Sequence, residues 1–158
     1  MFDYQRLFHT GFLVNDLRQE MARYSEALGL RWATPYVYEA LNLWTPERGE
    51  HQIRLEVAYS IDGPQHVEIQ VGPAGTFYDP ALQTGHHVGF WVDSVRDEVE
   101  ALIARGWALV CSGASPEKGY GGFSYLRPPG EGMMVEVASI AAKPRFENWW
   151  NGAPGPIL

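Results

Sequence analysis

Two stretches of the chain carry the same residues in the same order. Phe8-His9-Thr10-Gly11-Phe12-Leu13-Val14 lies near the start, and His86-His87-Val88-Gly89-Phe90-Trp91-Val92 lies just past the middle. Aligned on His9 and His87, both read His-x-Gly-Phe-x-Val. Further along, Val67-Glu68-Ile69 is echoed by Val135-Glu136-Val137. Imidazole and carboxylate are side chains that hold divalent metals. A duplicated unit that opens on a histidine and closes on a glutamate can bring four such groups to one point. A lone histidine in an apolar strand is ordinarily a hydrogen-bonded residue; repetition is what marks these two.

The elements that must position them follow from hydrophobic spacing. Leu7 to Val14 is rich in strand formers and ends at Asn15-Asp16, either of which can cap a helix. Leu17, Met21, Tyr24 and Leu28 then fall on one helical face, and Gly29 stops the helix. Tyr36 to Leu43, Gln52 to Ser60 and His66 to Val71 read as strands. Thr45-Pro46-Glu47-Arg48-Gly49 and Ile61-Asp62-Gly63-Pro64 are the turns between them. In the third, His66, Glu68 and Gln70 share one face and Val67, Ile69 and Val71 the other.

After the connection at 72–85 the pattern recurs. A strand from His87 to Val92 leads to Ser94 as N-cap, with Asp97 and Glu98 in the first turn. Val95, Val99, Leu102 and Ile103 form the apolar face of a second helix, which Gly106 ends. Strands over Trp107 to Cys111, Phe123 to Arg127 and Met133 to Ser139 complete the unit, with a glycine-rich loop from Ser112 to Gly122. Residues 1–158 thus read as a single domain: one β-α-β-β-β module at about 7–71, another at about 86–139, and a tail at 140–158. Phe146, Trp149 and Trp150 make that tail too apolar to be free, so it packs on the domain or on a second subunit.

Composition narrows the function classes. The net charge of −7 and the lack of a basic stripe oppose nucleic-acid binding. Cys111 is the only cysteine, which excludes an internal disulfide and a cysteine-rich zinc site; its apolar flank reads as packing. No apolar run approaches the ~20 residues that span a bilayer, and the N-terminus lacks a secretory pattern, so the expected location is the cytoplasm.

Paired modules opened by His9 and His87 and closed by Glu68 and Glu136 resemble the vicinal oxygen chelate superfamily. That group includes glyoxalase I, methylmalonyl-CoA epimerase, extradiol dioxygenases and bleomycin- or fosfomycin-resistance proteins. Gly63-Pro64-Gln65-His66-Val67-Glu68-Ile69 and the Pro144-Arg145-Phe146-Glu147-Asn148-Trp149 segment resemble glyoxalase-like proteins nearest the epimerase branch. The resemblance implies an α+β fold in which two modules curl their mixed sheets around a central metal-binding cleft. It nominates His9, Glu68, His87 and Glu136 as metal ligands. Gln70, on the same strand face as Glu68, is the alternative fourth ligand; the match of Val-Glu-Ile to Val-Glu-Val favours Glu68. A homodimer is expected on the same ground.

Such a set suits zinc, nickel, cobalt, manganese or iron and leaves coordination positions for a substrate with neighbouring oxygens. The leading expectation is a lyase or isomerase/epimerase acting on a small oxygenated molecule through an enolate-type intermediate, with Glu68 or Glu136 also serving as base. Glu56, one strand away, is a separate candidate base. An iron(II) dioxygenase using His9, His87 and Glu136 is the second expectation. A binding module that sequesters an apolar ligand or drug is the third. Lys118 and Tyr120 could form a lid, Arg54 and Arg127 could meet a substrate anion, and Trp32, Trp44 and Trp91 could wall a pocket or fill the core. His66 could share the pocket, whereas His51 and His86 read as solvated or supporting groups.

Overall fold

The computed structural model describes residues 3–82 and 85–156, so 83–84 of the expected connection and 157–158 of the expected tail lie outside it. Among the described residues, eight strands and three α-helices occur in the order β1 (Leu7–Leu13), α1 (Leu17–Leu28), β2 (Tyr36–Thr45), β3 (Gly49–Tyr59), β4 (His66–Val71), β5 (His87–Val92), α2 (Val95–Ile103), β6 (Ala108–Ser112), β7 (Phe123–Arg127), β8 (Met134–Ser139) and α3 (Lys143–Trp150). The strands close into a barrel ordered β1-β4-β3-β2-β6-β7-β8-β5. The fold is α+β, with each half supplying four adjacent strands. The halves meet at two unequal seams. β1 and β5 pair antiparallel through Leu7–Phe90, His9–Gly89, Thr10–Val88 and Gly11–His87. β2 and β6 touch through one pair, Trp44–Ser112.

The helices cover the outside of the barrel. Asp16 caps α1 by accepting from Gln19 N, and Gly29 closes it with a positive φ of 71°. Leu17, Met21 and Tyr24 lie against Ala58, Val67, Ile69 and Val71. Leu28, assigned to that face from its spacing, is 64% exposed because the helix has run past the sheet. Ser94 caps α2, and Val95, Val99 and Leu102 pack on Phe90, Leu126, Val135 and Val137. Ile103 is on the exposed side, and the helix stops there at Ala104 rather than at Gly106. Among the described residues no helix is long and apolar enough to cross a membrane.

The apolar tail folds onto its own barrel. Trp149 is fully buried and donates from Nε1 to Thr34 O at 2.7 Å. Phe146 meets Tyr59 and Trp91 edge-on, and Trp150 stacks on His66 with ring centroids 3.7 Å apart. The outer faces of β3 and β4 belong to α1, so the polar face of β4 (His66, Glu68 and Gln70) turns into the barrel, where all three are buried.

Candidate metal centre

Register alone aligns the four candidate ligands. Gly11 pairs with His87 on β5 and with Glu68 on β4, while Gly89 pairs with His9 on β1 and with Glu136 on β8. Two rows therefore cross the sheet: His87–Gly11–Glu68 and His9–Gly89–Glu136. Their like-facing side chains enter the barrel together. The glycines let the rows close. A methyl group on Gly11 would lie 2.8 Å from His87 Nδ1 and nearer still to Cε1 and Nε2; one on Gly89 would lie 2.6 Å from His9 Nε2 and nearer to Nδ1 and Cε1. Each imidazole thus rests on the glycine of the opposite module, which explains why the motif is His-x-Gly in both copies.

The four side chains converge, with one ligand atom from each lying within 4.8 Å of the others. His9 Nε2 is 2.8 Å from His87 Nε2, 3.1 Å from Glu136 Oε2 and 3.4 Å from Glu68 Oε2. His87 Nε2 is 3.2 Å from Glu68 Oε2 and 3.5 Å from Glu136 Oε2. The imidazoles are almost completely buried, and Glu68 and Glu136 are 4% and 8% exposed. Tyr59, paired across strands with Glu68, meets His9 edge-on; Tyr125, paired with Glu136, meets His87 edge-on. Burial and then the Glu68 and Glu136 charges push the Tyr59 hydroxyl well above its ordinary range, so it stays protonated.

Two buried carboxylates this close demand positive charge between them. Burial pushes the His87 imidazole down, but hydrogen bonds and charge from Glu136 and Glu68 outweigh it and raise its pKa to about 10. Burial pushes Glu136 up, and the two imidazoles more than reverse this, holding it at about 2. The donor set fits a divalent cation for a further reason. His87 Nδ1 lies 2.6 Å from Gly85 O; a carbonyl only accepts, so Nδ1 carries the proton and a neutral ring presents its Nε2 lone pair to the centre. Apart from its approach to the two imidazoles, Glu68 Oε2 makes no hydrogen bond among the described residues. Lone pairs from four residues thus face one point, where a cation would satisfy them without protons.

Two adjoining cavities open from this cluster, sharing Tyr38, Leu41, Tyr59, Phe123, Glu136 and Phe146. The narrow one, about 80 Å³, reaches Glu68 and Gln70. The broad one, about 520 Å³, runs past Phe8 and Trp91 to Arg145 on α3. A register shift between Leu7 and His9 accompanies the burial of both Phe8 and His9, adjacent residues that would otherwise alternate sides.

A family model described as the Glyoxalase/Bleomycin resistance protein/Dioxygenase superfamily matches residues 8–125. The chain belongs to this superfamily. Three solved structures share the fold of this glyoxalase-superfamily chain. A methylmalonyl-CoA epimerase of Mycobacterium tuberculosis aligns at TM-score 0.55 and 14% identity, covering 88% of this chain and 92% of that one. A variant methylmalonyl-CoA epimerase of Streptomyces coelicolor, in complex with 2-nitronate-propionyl-CoA, aligns at 0.52 and 16%, covering 85% and 96%. A hypothetical protein of Bacillus halodurans C-125 aligns at 0.53 and 17%, covering 84% and 92%. No protein of curated function matches the sequence.

Gln70 and Trp91 aside, the other expected site residues of this superfamily member lie elsewhere. Glu56 alternates away from Leu55, Val57 and Tyr59, which line the cavity, and so points out of the barrel. Gln70 lies beside Glu68 in the narrow cavity, and its buried Oε1 makes no hydrogen bond among the described residues. His66 accepts the stack of Trp150 and is 2.6 Å from Ser60 O through Nδ1. His51 bonds Gly49 O, and exposed His86 packs on Phe12. Arg54 pairs with Glu39 in solvent, and exposed Arg127 lines neither cavity. Lys118 is tied to Glu50 at 2.6 Å and Tyr120 is buried beneath α2, so neither side chain lines the two cavities, although Gly113 and Gly122 of the same loop line the broad one. Trp91 does wall the broad cavity, whereas Trp32 packs on the outside and bonds Met21 O. Gly11, Gly89, Tyr59 and Tyr125 border the cluster and Arg145 lines the broad cavity, placements that the sequence pattern did not single out. The His-x-Gly repeat itself was the available signal for the two glycines.

Proposed function

We propose that this chain is a metal-dependent isomerase, epimerase or lyase that moves a proton beside a carbonyl of a small oxygenated substrate. The observation that carries the reading is the convergence of His9, Glu68, His87 and Glu136 at the floor of an apolar cavity. These four residues would hold the cation. When bound, it supplies Lewis acidity, polarising a carbonyl and lowering the cost of negative charge next to it. Glu136 is the better placed base, because it belongs to the cluster and also lines both cavities. Glu68 lines only the narrow one and is suited to receive or return a proton on the other side of the substrate. Tyr59, protonated and set against Glu68, fixes that carboxylate and can donate a hydrogen bond. The aromatic walls exclude water, which strengthens each of these interactions.

An iron(II) dioxygenase would use three ligands and let Glu68 stand aside. Glu68 instead approaches both imidazoles as closely as Glu136 does, which counts against that chemistry. Metal content is measured by plasma mass spectrometry for the wild type and for Glu136→Gln, and candidate 2-oxo and 2-hydroxy carbonyl compounds are followed by NMR for deuterium uptake from solvent. About one divalent ion per chain, with exchange lost in the variant, is expected. Exchange that persists in metal-free protein would refute the reading.

A further inference from the structure

We propose that the substrate is a free carboxylic acid with an apolar, aromatic-sized body, whose carboxylate is gripped by Arg145 while its neighbouring oxygens face the His9/Glu68/His87/Glu136 cluster. The inference rests on the metal-site reading above and adds the substrate class to it.

Among the described residues, Arg145 is the only lysine or arginine lining the broad cavity. It stands on α3, the tail helix that Trp149 anchors to the barrel, and makes no ion pair among the described residues. Lys118, Lys143 and Arg54, by contrast, each pair with a carboxylate, of Glu50, Glu147 and Glu39 respectively. A half-buried guanidinium without a carboxylate, at the edge of an apolar chamber in a chain of net charge −7, is a selective point for an anion. Phe8, Trp91, Phe146 and Tyr38 supply flat walls between that point and Glu136. At about 520 Å³ the chamber falls in the range of small-ligand sites, roughly 300–1,000 Å³.

The same charges argue against a coenzyme A thioester. Its phosphates would need several cations near the mouth, and among the described residues Arg145 alone lines the cavity with positive charge. A coenzyme A ester is therefore not the expected ligand of this chain, although its fold neighbours include methylmalonyl-CoA epimerases.

The test is calorimetric binding to zinc-loaded full-length protein. The probes are protocatechuate and dihydrocaffeate, which carry vicinal oxygens at one end and a carboxylate at two different reaches, against their methyl esters and against propionyl-CoA. At least one acid is expected to bind about tenfold or more tightly than its ester, as a charge-assisted pair implies. In Arg145→Gln that preference should vanish, and in Arg145→Lys it should return in part. Equal binding of acids and esters, an undiminished preference in Arg145→Gln, propionyl-CoA as the tightest probe, or no binding by either acid would each overturn the inference. Repeating the titrations without zinc separates the two readings. An acid preference that depends on Arg145 but not on zinc sinks only the metal site. Zinc-dependent binding without an Arg145 effect sinks only the carboxylate grip.

Discussion

Alanine in place of Gly89 or Gly11 is the sharpest perturbation of the centre, because it changes none of the four proposed ligands. The new methyl of Gly89→Ala would sit 2.6 Å from His9 Nε2 and closer to two other ring atoms. Relaxed carbon contacts need about 3.5–4.0 Å, so the ring must retreat by about 1 Å or more. Metal–ligand distances tolerate only about 0.2 Å, and disturbing a supporting group alone costs about 10–100-fold in affinity. Zinc affinity should therefore fall at least about 100-fold in either variant, read by competition with a chromophoric chelator. The fold should survive, with overpacking costing about 1–3 kcal/mol. The two variants should differ in stability. His87 is tethered through Nδ1 to Gly85 O, whereas His9 Nδ1 makes no hydrogen bond among the described residues, so Gly11→Ala should be the more destabilising in urea titrations. Thr10→Ala, on the intervening half-buried position, is the control and should leave zinc affinity unchanged. Wild-type zinc affinity in Gly89→Ala would refute the account of the motif.

Further outcomes follow from the same geometry. Because metal-free His87 holds its proton up to about pH 10, zinc binding near neutrality should release protons and tighten as pH rises; calorimetry in two buffers of different ionisation enthalpy checks this. In metal-free protein the raised His87 contributes stability fully below its unfolded value of 6.5 and loses it as pH rises through about 10. The depressed Glu136 contributes fully above 4.5 and loses it as pH falls through about 2. The pair thus favours a melting maximum between those unfolded values, and a maximum well outside that window would contradict the assignment. Trp149→Ala should cost about 3–5 kcal/mol and expose the tail to protease, measured by urea unfolding and limited digestion. Lys118→Ala removes an exposed ion pair and should change stability by less than about 1 kcal/mol, with no effect on turnover.

The quartet and the strands were legible because duplication wrote the same pattern twice. His66–Val71, His87–Val92 and Phe123–Arg127 have the bounds expected from alternation and turns. Tyr59 and Tyr125 carry no such signal, although each is the cross-strand partner of its glutamate. The turns leading from Tyr59 to Glu68 and from Tyr125 to Glu136 differ in length, so no fixed spacing links the pairs. Arg145 was hidden for another reason: only the docking of α3 brings a tail residue to the cavity, and one sequence does not reveal where an aromatic tail will land. Leu28 and Ile103 were misplaced because helical periodicity reports a face, not where the surface beneath it ends.

The seam between β1 and β5 carries the same knob and the same notch on both edges, an imidazole and a bare backbone two residues apart. Such an edge is its own complement. Two copies of a single module could join by this rule alone, each ring seating on the other's glycine, as in an isologous dimer. Neither copy would own a finished pocket; the ligand set would exist only in the pair. Joining the copies in one chain makes that assembly independent of concentration, and frees the two unequal sides of the chamber to diverge. Here one side has become the anchored arginine of α3 and the other the tyrosine-lined floor.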